Sequence, residues 1–379
     1  MEIIGIAGSG AMGSGIAQVA ATAGYEVRIF DNNQEALTRS MSGLNENINK
    51  LVEKQKITPA EGVEIRGRIY HTDNLSSFGD CTLIIEAIIE NADIKKQLFK
   101  ELEKLVNQQV ILATNTSSLS ISSLAAVLDY PERAVGIHFF NPAPLMKLVE
   151  IIPAVQTDQS TLLKAQKIIE SFGKITVIAK DSPGFIVNKV ARPFYSEALK
   201  IYEEGIATPV EIDSVMKSGG FKMGPFELMD FIGHDVNYAV TKSVWESFYF
   251  EPRYRPSHIQ LRLVEAGFLG RKSRRGFYDY SSVPLNATIE IDQKRSNAIF
   301  FRILSMLINE AADTVYHKIC SEEDIETAVR YGVNYPKGLL SWGEETGWKE
   351  VARVLDDLFN YYHDGRYKLS PYIRQKCEK

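Results

Sequence analysis

The chain is poor in the residues that staple or metallate small folds. Cys81, Cys320 and Cys377 are its three cysteines. They are too few and too far apart for a disulfide framework or a thiolate cluster, so no metal site is expected. The six histidines are scattered, with no HxxxH pair among them. No apolar run reaches the length that crosses a bilayer. A strand-like segment, "EIIGIAG", already begins at Glu2. Neither a membrane anchor nor a signal or transit peptide is therefore expected, and the expected location is a reducing cytoplasm. Excess basic charge is missing too: the net charge is -5, which argues against a nucleic-acid partner. What is plentiful is apolar material, 45% of 379 residues. That suits two or three packed domains and excludes wholesale disorder.

Up to about residue 180, short apolar runs alternate with amphipathic stretches. "IIGIA" (3–7), "EVRIF" (26–30), "TLIIEAI" (82–88), "QVILATN" (109–115) and "AVGIHFF" (134–140) read as strands. Helical periods such as "IKKQLFKELEKL" (94–105) fill most of the gaps. Strands apolar on both faces and separated by helices predict an α/β domain, a doubly wound parallel sheet covered on both sides. From Pro183 the strand signals stop. "GFIVNKVARPFYSEALKIYEEG" reads as one long amphipathic helix kinked at Pro193, and the rest of the chain reads as helical.

That helical part repeats itself. "INEAADTVYHKICSEEDIETAV" answers "YSEALKIYEEGIATPVEIDSVM", "NYPKGLLSW" answers "GFKMGPFELMD", and "GRYKLSPYIRQK" answers "PRYRPSHIQLRL". Glu197 and Glu310, Arg253 and Arg366, and Ser257 and Ser370 are each 113 residues apart. Matching blocks at one offset predict two tandem all-α modules. The domains expected are residues 1–182, 183–282 and 291–379, with the helical copies divided near "SSVPLNATIE" (281–290).

"GSGAMG" sets Gly8, Gly10 and Gly13 in GxGxxG spacing, after a strand and at the opening of a helix that begins with Ala11 and Met12. Asp31 closes the next strand, 18 residues past Gly13. In a dinucleotide fold the first glycine makes the tight turn, the second admits the pyrophosphate, and the third lets helix and strand close up. The helix N-terminus supplies N–H groups and partial positive charge to the phosphates. Asp31 is expected to take the adenosine ribose hydroxyls, and a carboxylate there repels a 2′-phosphate. The cofactor expected is NAD rather than NADP.

"HFFNPAPLMKLVEII" joins two apolar runs through a proline-rich reversal. Pro144 is the midpoint of His138 and Glu150, so antiparallel pairing would set those two side chains opposite each other. A carboxylate beside an imidazole holds its tautomer, the base-plus-orienter arrangement that alcohol oxidation needs.

"NTSSLSI", "HFFNPAPLMKLVE", "DSPGFIVNK", "GFKMGPFELMDFIG" and "GRKSRRGFYDY" together resemble the short-chain L-3-hydroxyacyl-CoA dehydrogenase family. The likeness runs from residue 1 to about 280. It implies a Rossmann-type domain, a helical domain that usually dimerises, and an acyl-CoA substrate in the cleft between them. It further implies His138 as base, Glu150 as its orienter, and Ser117 and Asn188 as substrate contacts. Glu90, Lys95, Asn141 and Lys272 match cofactor contacts. Plainer readings exist: Ser117 as a helix N-cap, Asn188 as a satisfied buried amide, Lys95 as a solvated helix residue.

The longer form is similar to relatives with two helical modules, such as the phenylacetate-pathway enzymes. There the second module is expected to take the place of a dimer partner, which leaves monomer and homodimer both open. Arg274 and Arg275 depart from the usual pattern and are candidates for the CoA phosphates. Arg39, Lys50 and Lys54 are others, although a charged helix face is the better explanation of them. Short or dicarboxylic acyl chains, such as 3-hydroxyadipyl-CoA, are the expected substrates. The alternatives are a carnitine- or gulonate-type hydroxy acid dehydrogenase that does not use CoA, and a catalytically silent NAD-binding protein.

Overall fold

Among the described residues, eight short strands and the helices between most of them fill the first half of the chain, and helices fill the second. The computed structural model describes residues 2–281 and 291–378. They divide into two units, Met1–Ser182 and Pro183–Lys379. The expected boundary between the helical copies lies, from residue 282 onward, outside the described residues.

The first unit holds β1 (Ile3–Ala7), β2 (Glu26–Phe30), β3 (Ile69–Thr72), β4 (Leu83–Glu86), β5 (Ile111–Thr114), β6 (Ala134–Phe139), β7 (Leu148–Pro153) and β8 (Ile175–Ile178). They form one sheet in the order β3-β2-β1-β4-β5-β6-β7-β8, so the strand order reverses beside β1, where doubly wound sheets bind their ligands. The sheet is not wholly parallel: β6 and β7 run antiparallel because the chain turns straight back at 141–146, and the other pairs are parallel. Ile4, Ile6, Val27, Ile29, Leu83, Ile85, Val135 and Ile137 are sealed in its core, as strands covered on both faces must be.

The helices of this unit are α1 (Ala11–Thr22), α2 (Gln34–Glu53), α3 (Pro59–Gly67), α4 (Ala92–Leu105), α5 (Ile121–Ala125) and α6 (Gln159–Ser171). Their starts follow local chemistry. Asn33 caps α2, Asn91 caps α4, and Thr58 with Glu61 forms a capping box on α3.

The second unit contains α7 (Val187–Val190), α8 (Arg192–Glu203), α9 (Pro209–Ser218), α10 (Pro225–Ile232), α11 (His234–Ser247), α12 (His258–Glu265), α13 (Gln293–Tyr316), α14 (Glu322–Gly332), α15 (Leu339–Thr346), α16 (Trp348–Tyr362) and α17 (Pro371–Cys377). The single kinked helix expected over 184–205 is instead two. Pro193 sits in the first turn of α8, where its missing N–H costs nothing, and α7 is a separate turn before it.

Buried ion pairs in this unit recur at the offset seen in the sequence. Glu310, fully buried, takes Lys189, Arg253 at 3.2 Å and the Tyr254 hydroxyl at 2.6 Å. Glu197, equally buried, takes Arg302 at 3.1 Å, Arg366 at 3.0 Å and the Tyr367 hydroxyl at 3.1 Å. The grip is reciprocal. Lys189, Arg253 and Tyr254 reach forward to Glu310, while Arg302, Arg366 and Tyr367 reach back to Glu197.

Candidate active site

The turn from β1 into α1 has the shape a pyrophosphate needs. Gly8 has φ +111°, and a Cβ there would lie 2.6 Å from the Ala87 carbonyl oxygen. A Cβ on Gly13 would lie 1.9 Å from the Gly8 carbonyl oxygen, whereas Gly10 faces open space. Gly10 is the N-cap of α1 and supplies no side-chain cap, and the first turn, from Ala11 and Met12, carries no acid. The N–H groups there are thus left for an anion.

Asp31 directly follows β2, beside this turn. Its carboxylate accepts from the Ser9 backbone N–H at 2.9 Å, the Ser9 hydroxyl at 2.8 Å and the Asn33 N–H at 3.0 Å. It therefore braces the glycine loop, a tie through Ser9 that the sequence motif does not announce. Replacing Gly13 with alanine should abolish NAD binding in a fluorescence titration, because backbone cannot retreat as a flexible side chain could. Retention of wild-type affinity would contradict the loop geometry.

β6 and β7 pair with His138 opposite Glu150. The His138 Nδ1 lies 2.6 Å from Glu150 Oε2, with His138 6% exposed and Glu150 fully buried. An ionised carboxylate can only accept, so Nδ1 is the donor and the basic lone pair belongs to Nε2. Asn115 steadies the end of β6 by accepting the Phe139 N–H at 2.8 Å.

Beside β4 and β5 lies a polar network that the strand pattern conceals. Glu86, fully buried at the end of β4, accepts from Lys95 Nζ at 2.6 Å, the Thr114 hydroxyl at 2.7 Å and the Ile88 N–H at 2.7 Å. Lys95 is 1% exposed and also reaches Glu90 at 3.2 Å. It is not a solvated helix residue. Glu90 in turn accepts from the Thr116 hydroxyl at 2.5 Å and the Ser117 N–H at 3.0 Å. Burial alone would raise the Glu90 pKa, but Thr116 and Lys95 outweigh it and hold the carboxyl below its ordinary range. Ser117 is not an N-cap: Ser120 caps α5, and Asp181 takes the Ile121 and Ser122 N–H groups.

Asn141 is exposed on the 141–146 reversal. This loop closes on α1 at Gly15, where a Cβ would meet Ala143 and Pro144 at 3.2 Å. Lys174 donates to the Ala143 and Met146 carbonyls at 2.6 and 2.7 Å. Burial pushes its pKa down to about 8 from 10.5. The folded chain then holds fewer protons than the unfolded chain between those values, so this residue adds stability as pH rises across that window. In urea titrations the wild type should gain on Lys174→Met from pH 8 to 10.5; a constant difference would exclude this role.

In the helical unit, Asn188 is half-buried on α7. Lys272 is bound to Asp235 at 2.6 Å, and Arg275 lies over the Phe268 ring at 4.3 Å.

Two family models match the chain: the 3-hydroxyacyl-CoA dehydrogenase NAD binding domain over residues 3–182, and the 3-hydroxyacyl-CoA dehydrogenase C-terminal domain over 184–280 and 299–379. The chain belongs to the 3-hydroxyacyl-CoA dehydrogenase family. As a 3-hydroxyacyl-CoA dehydrogenase it is an NAD-dependent oxidoreductase, and the residues of the β1–α1 turn fit that cofactor.

The chain is 35% identical to a 3-hydroxyadipyl-CoA dehydrogenase of Escherichia coli, over 100% of this chain and 98% of that one. It is 43% identical to a probable 3-hydroxybutyryl-CoA dehydrogenase of Deinococcus radiodurans, covering 73% of this chain and 99% of the relative. A crystal structure of 3-hydroxybutyryl-CoA dehydrogenase from Escherichia coli matches with a TM-score of 0.94 at 34% identity, over 100% of this chain and 98% of that chain. Among the described residues no helix is long and apolar enough to cross a membrane.

Proposed function

We propose that the enzyme reversibly oxidises short or dicarboxylic (S)-3-hydroxyacyl-CoA thioesters, with His138 as general base. The observation that carries this is the buried His138–Glu150 contact at 2.6 Å. His138 Nε2 takes the proton of the 3-hydroxyl group, and Glu150 keeps the ring in that tautomer and balances the charge it gains. When bound, NAD accepts the hydride that leaves C3. Ser117 and Asn188 hold the substrate oxygen and the thioester, so that positioning contributes to the rate. Asn141 and Glu90 border the nicotinamide and its ribose. Lys95 acts there through Glu90 rather than by direct contact.

The CoA nucleotide has a place in the same unit. A cavity of about 620 Å³ runs from Gly10 and Asn141 to Arg39, Lys50, Lys54 and Lys56. Four cations around one hollow suit phosphates better than a merely solvated helix face does. The segment after residue 291 we read as a second copy of the helical module. Its reciprocal ion pairs take the place a partner subunit would fill, which favours a monomer or a dimer formed elsewhere.

The test is a panel of 3-hydroxybutyryl-CoA, 3-hydroxyadipyl-CoA, longer 3-hydroxyacyl-CoAs and free 3-hydroxy acids, each with NAD and NADP. NADH formation from the CoA esters alone is the expected result. Turnover of free acids at equal efficiency would overturn the assignment of the cavity.

A further inference from the structure

Asn188 sits on α7, a helix of four residues. A turn that short is not held by its own hydrogen bonds, so its position must come from its neighbours. Two clamps grip it.

On one side, the buried Arg192 donates from Nε to the Asn188 carbonyl at 2.8 Å and from a terminal nitrogen to the Thr241 hydroxyl at 3.0 Å. On the other, the ammonium of Lys189, 2% exposed, crosses to α13. There it binds the Glu310 carboxylate and the Thr314 hydroxyl, the latter at 2.8 Å. The Thr314 hydroxyl gives its proton to the Glu310 carbonyl at 2.7 Å, which leaves its oxygen as the acceptor for Lys189. Burial would raise the Glu310 pKa, but the charges of Lys189 and Arg253 outweigh it and keep the pKa lowered.

The reciprocal contact supplies the comparison. Arg302, 113 residues after Lys189, binds the buried Glu197 and the more exposed Glu204. The residue before it is Phe301, which has no amide to aim. One lock adjoins a substrate-type side chain and the other does not.

We infer that Glu310 and Thr314, from the part of the chain that carries no proposed site residue, are positioning residues that fix Asn188 through the Lys189 ammonium. The inference rests on the reading of Asn188 as a substrate contact. It gives the second helical segment a part in turnover as well as in stability.

The experiment compares Thr314→Val, Thr314→Ser, Asn188→Ala, the Thr314→Val/Asn188→Ala pair and Arg302→Lys in the full chain. Each is measured for kcat and KM with 3-hydroxybutyryl-CoA, for NAD affinity and for its urea midpoint. We expect Thr314→Val to lower kcat/KM by about 10–100-fold, the scale of a small misplacement, with NAD affinity unchanged and activity restored in Thr314→Ser. The pair should lose little beyond Asn188→Ala alone, because both changes remove one function. Arg302→Lys should lower the urea midpoint but not kcat/KM. Glu310→Gln, which keeps the acceptor's shape, is the second variant if Thr314→Val does not fold.

Normal activity in Asn188→Ala would overturn the underlying reading of that residue. An impaired Asn188→Ala beside a normal Thr314→Val, or equal losses in Thr314→Val and Arg302→Lys, would overturn the positioning role alone.

Discussion

Replacing His138 with alanine should lower kcat by about 10²–10⁴-fold, the usual worth of a positioned base, and leave NAD affinity unchanged. The pyrophosphate and adenosine end of the proposed cofactor cradle comes from the β1–α1 turn and from Asp31 after β2, which are tied to each other through Ser9. The ring is nearly buried and committed through Nδ1 to a fully buried carboxylate, so alanine removes the proposed base and leaves Glu150 with no imidazole to orient. The loss amounts to about 3–5 kcal/mol of barrier at 1.36 kcal/mol per decade. Steady-state rates and a cofactor titration on the same preparation decide the matter. A kcat near the wild-type value would remove His138 from the chemistry, and a parallel loss of NAD binding would assign it a structural role.

Glu86→Ala should cost about 3–5 kcal/mol of folding stability, the range for breaking one side of a buried ion pair. Glu86 is wholly enclosed, and three donors converge on it. Burial pushes its pKa up against the opposing pull of Lys95. Without it, the Lys95 ammonium keeps Glu90 as its one acidic partner among the described residues, and the Thr114 hydroxyl and the Ile88 N–H lose the Glu86 acceptor. Glu90 would also shift, because it shares Lys95, so Ser117 should lose its anchor and the enzyme its substrate affinity. Urea unfolding of Glu86→Ala, Glu86→Gln and Glu86→Leu/Lys95→Met separates charge from shape: the double apolar exchange should recover much of the loss. A wild-type midpoint for Glu86→Ala would show that the charge is solvated.

The sequence exposes those parts of the molecule that rest on pattern. "IIGIA" and "AVGIHFF" are apolar on both faces and become the interior strands β1 and β6, while "EVRIF" alternates and becomes β2, next to the edge strand β3. β3 and β8 escape such a reading because they are four-residue strands with mostly half-buried side chains, although the β-branched "ITVI" of β8 was a signal that could have been followed. The pairing of His138 with Glu150 follows from the reversal at Pro144, since register in a hairpin is set by its turn.

Lys95 is different. Its helix is charged along its length, and only the fold shows that this one ammonium lies beneath Glu86, although an acid inside the apolar "TLIIEAI" was a signal that could have been followed. Lys174 gives no signal at all, because its partners are backbone carbonyls about thirty residues earlier, and every residue has one. The offset of 113 was plain for Glu197 and Glu310. It was hidden for Lys189 and Arg302, which differ in side chain and share only their task.

The reciprocal hold between Glu197 and Glu310 has a consequence for descent. On the proposed reading of the helical unit as a duplicated module, its two copies would ordinarily wander apart at their own pace. Here each half keeps its acid in the other's custody, so a substitution at Glu310 must be answered at Lys189 or Arg253, far upstream. The residues beside the two locks differ, Asn188 against Phe301, but the buried partners must mutate as a couple.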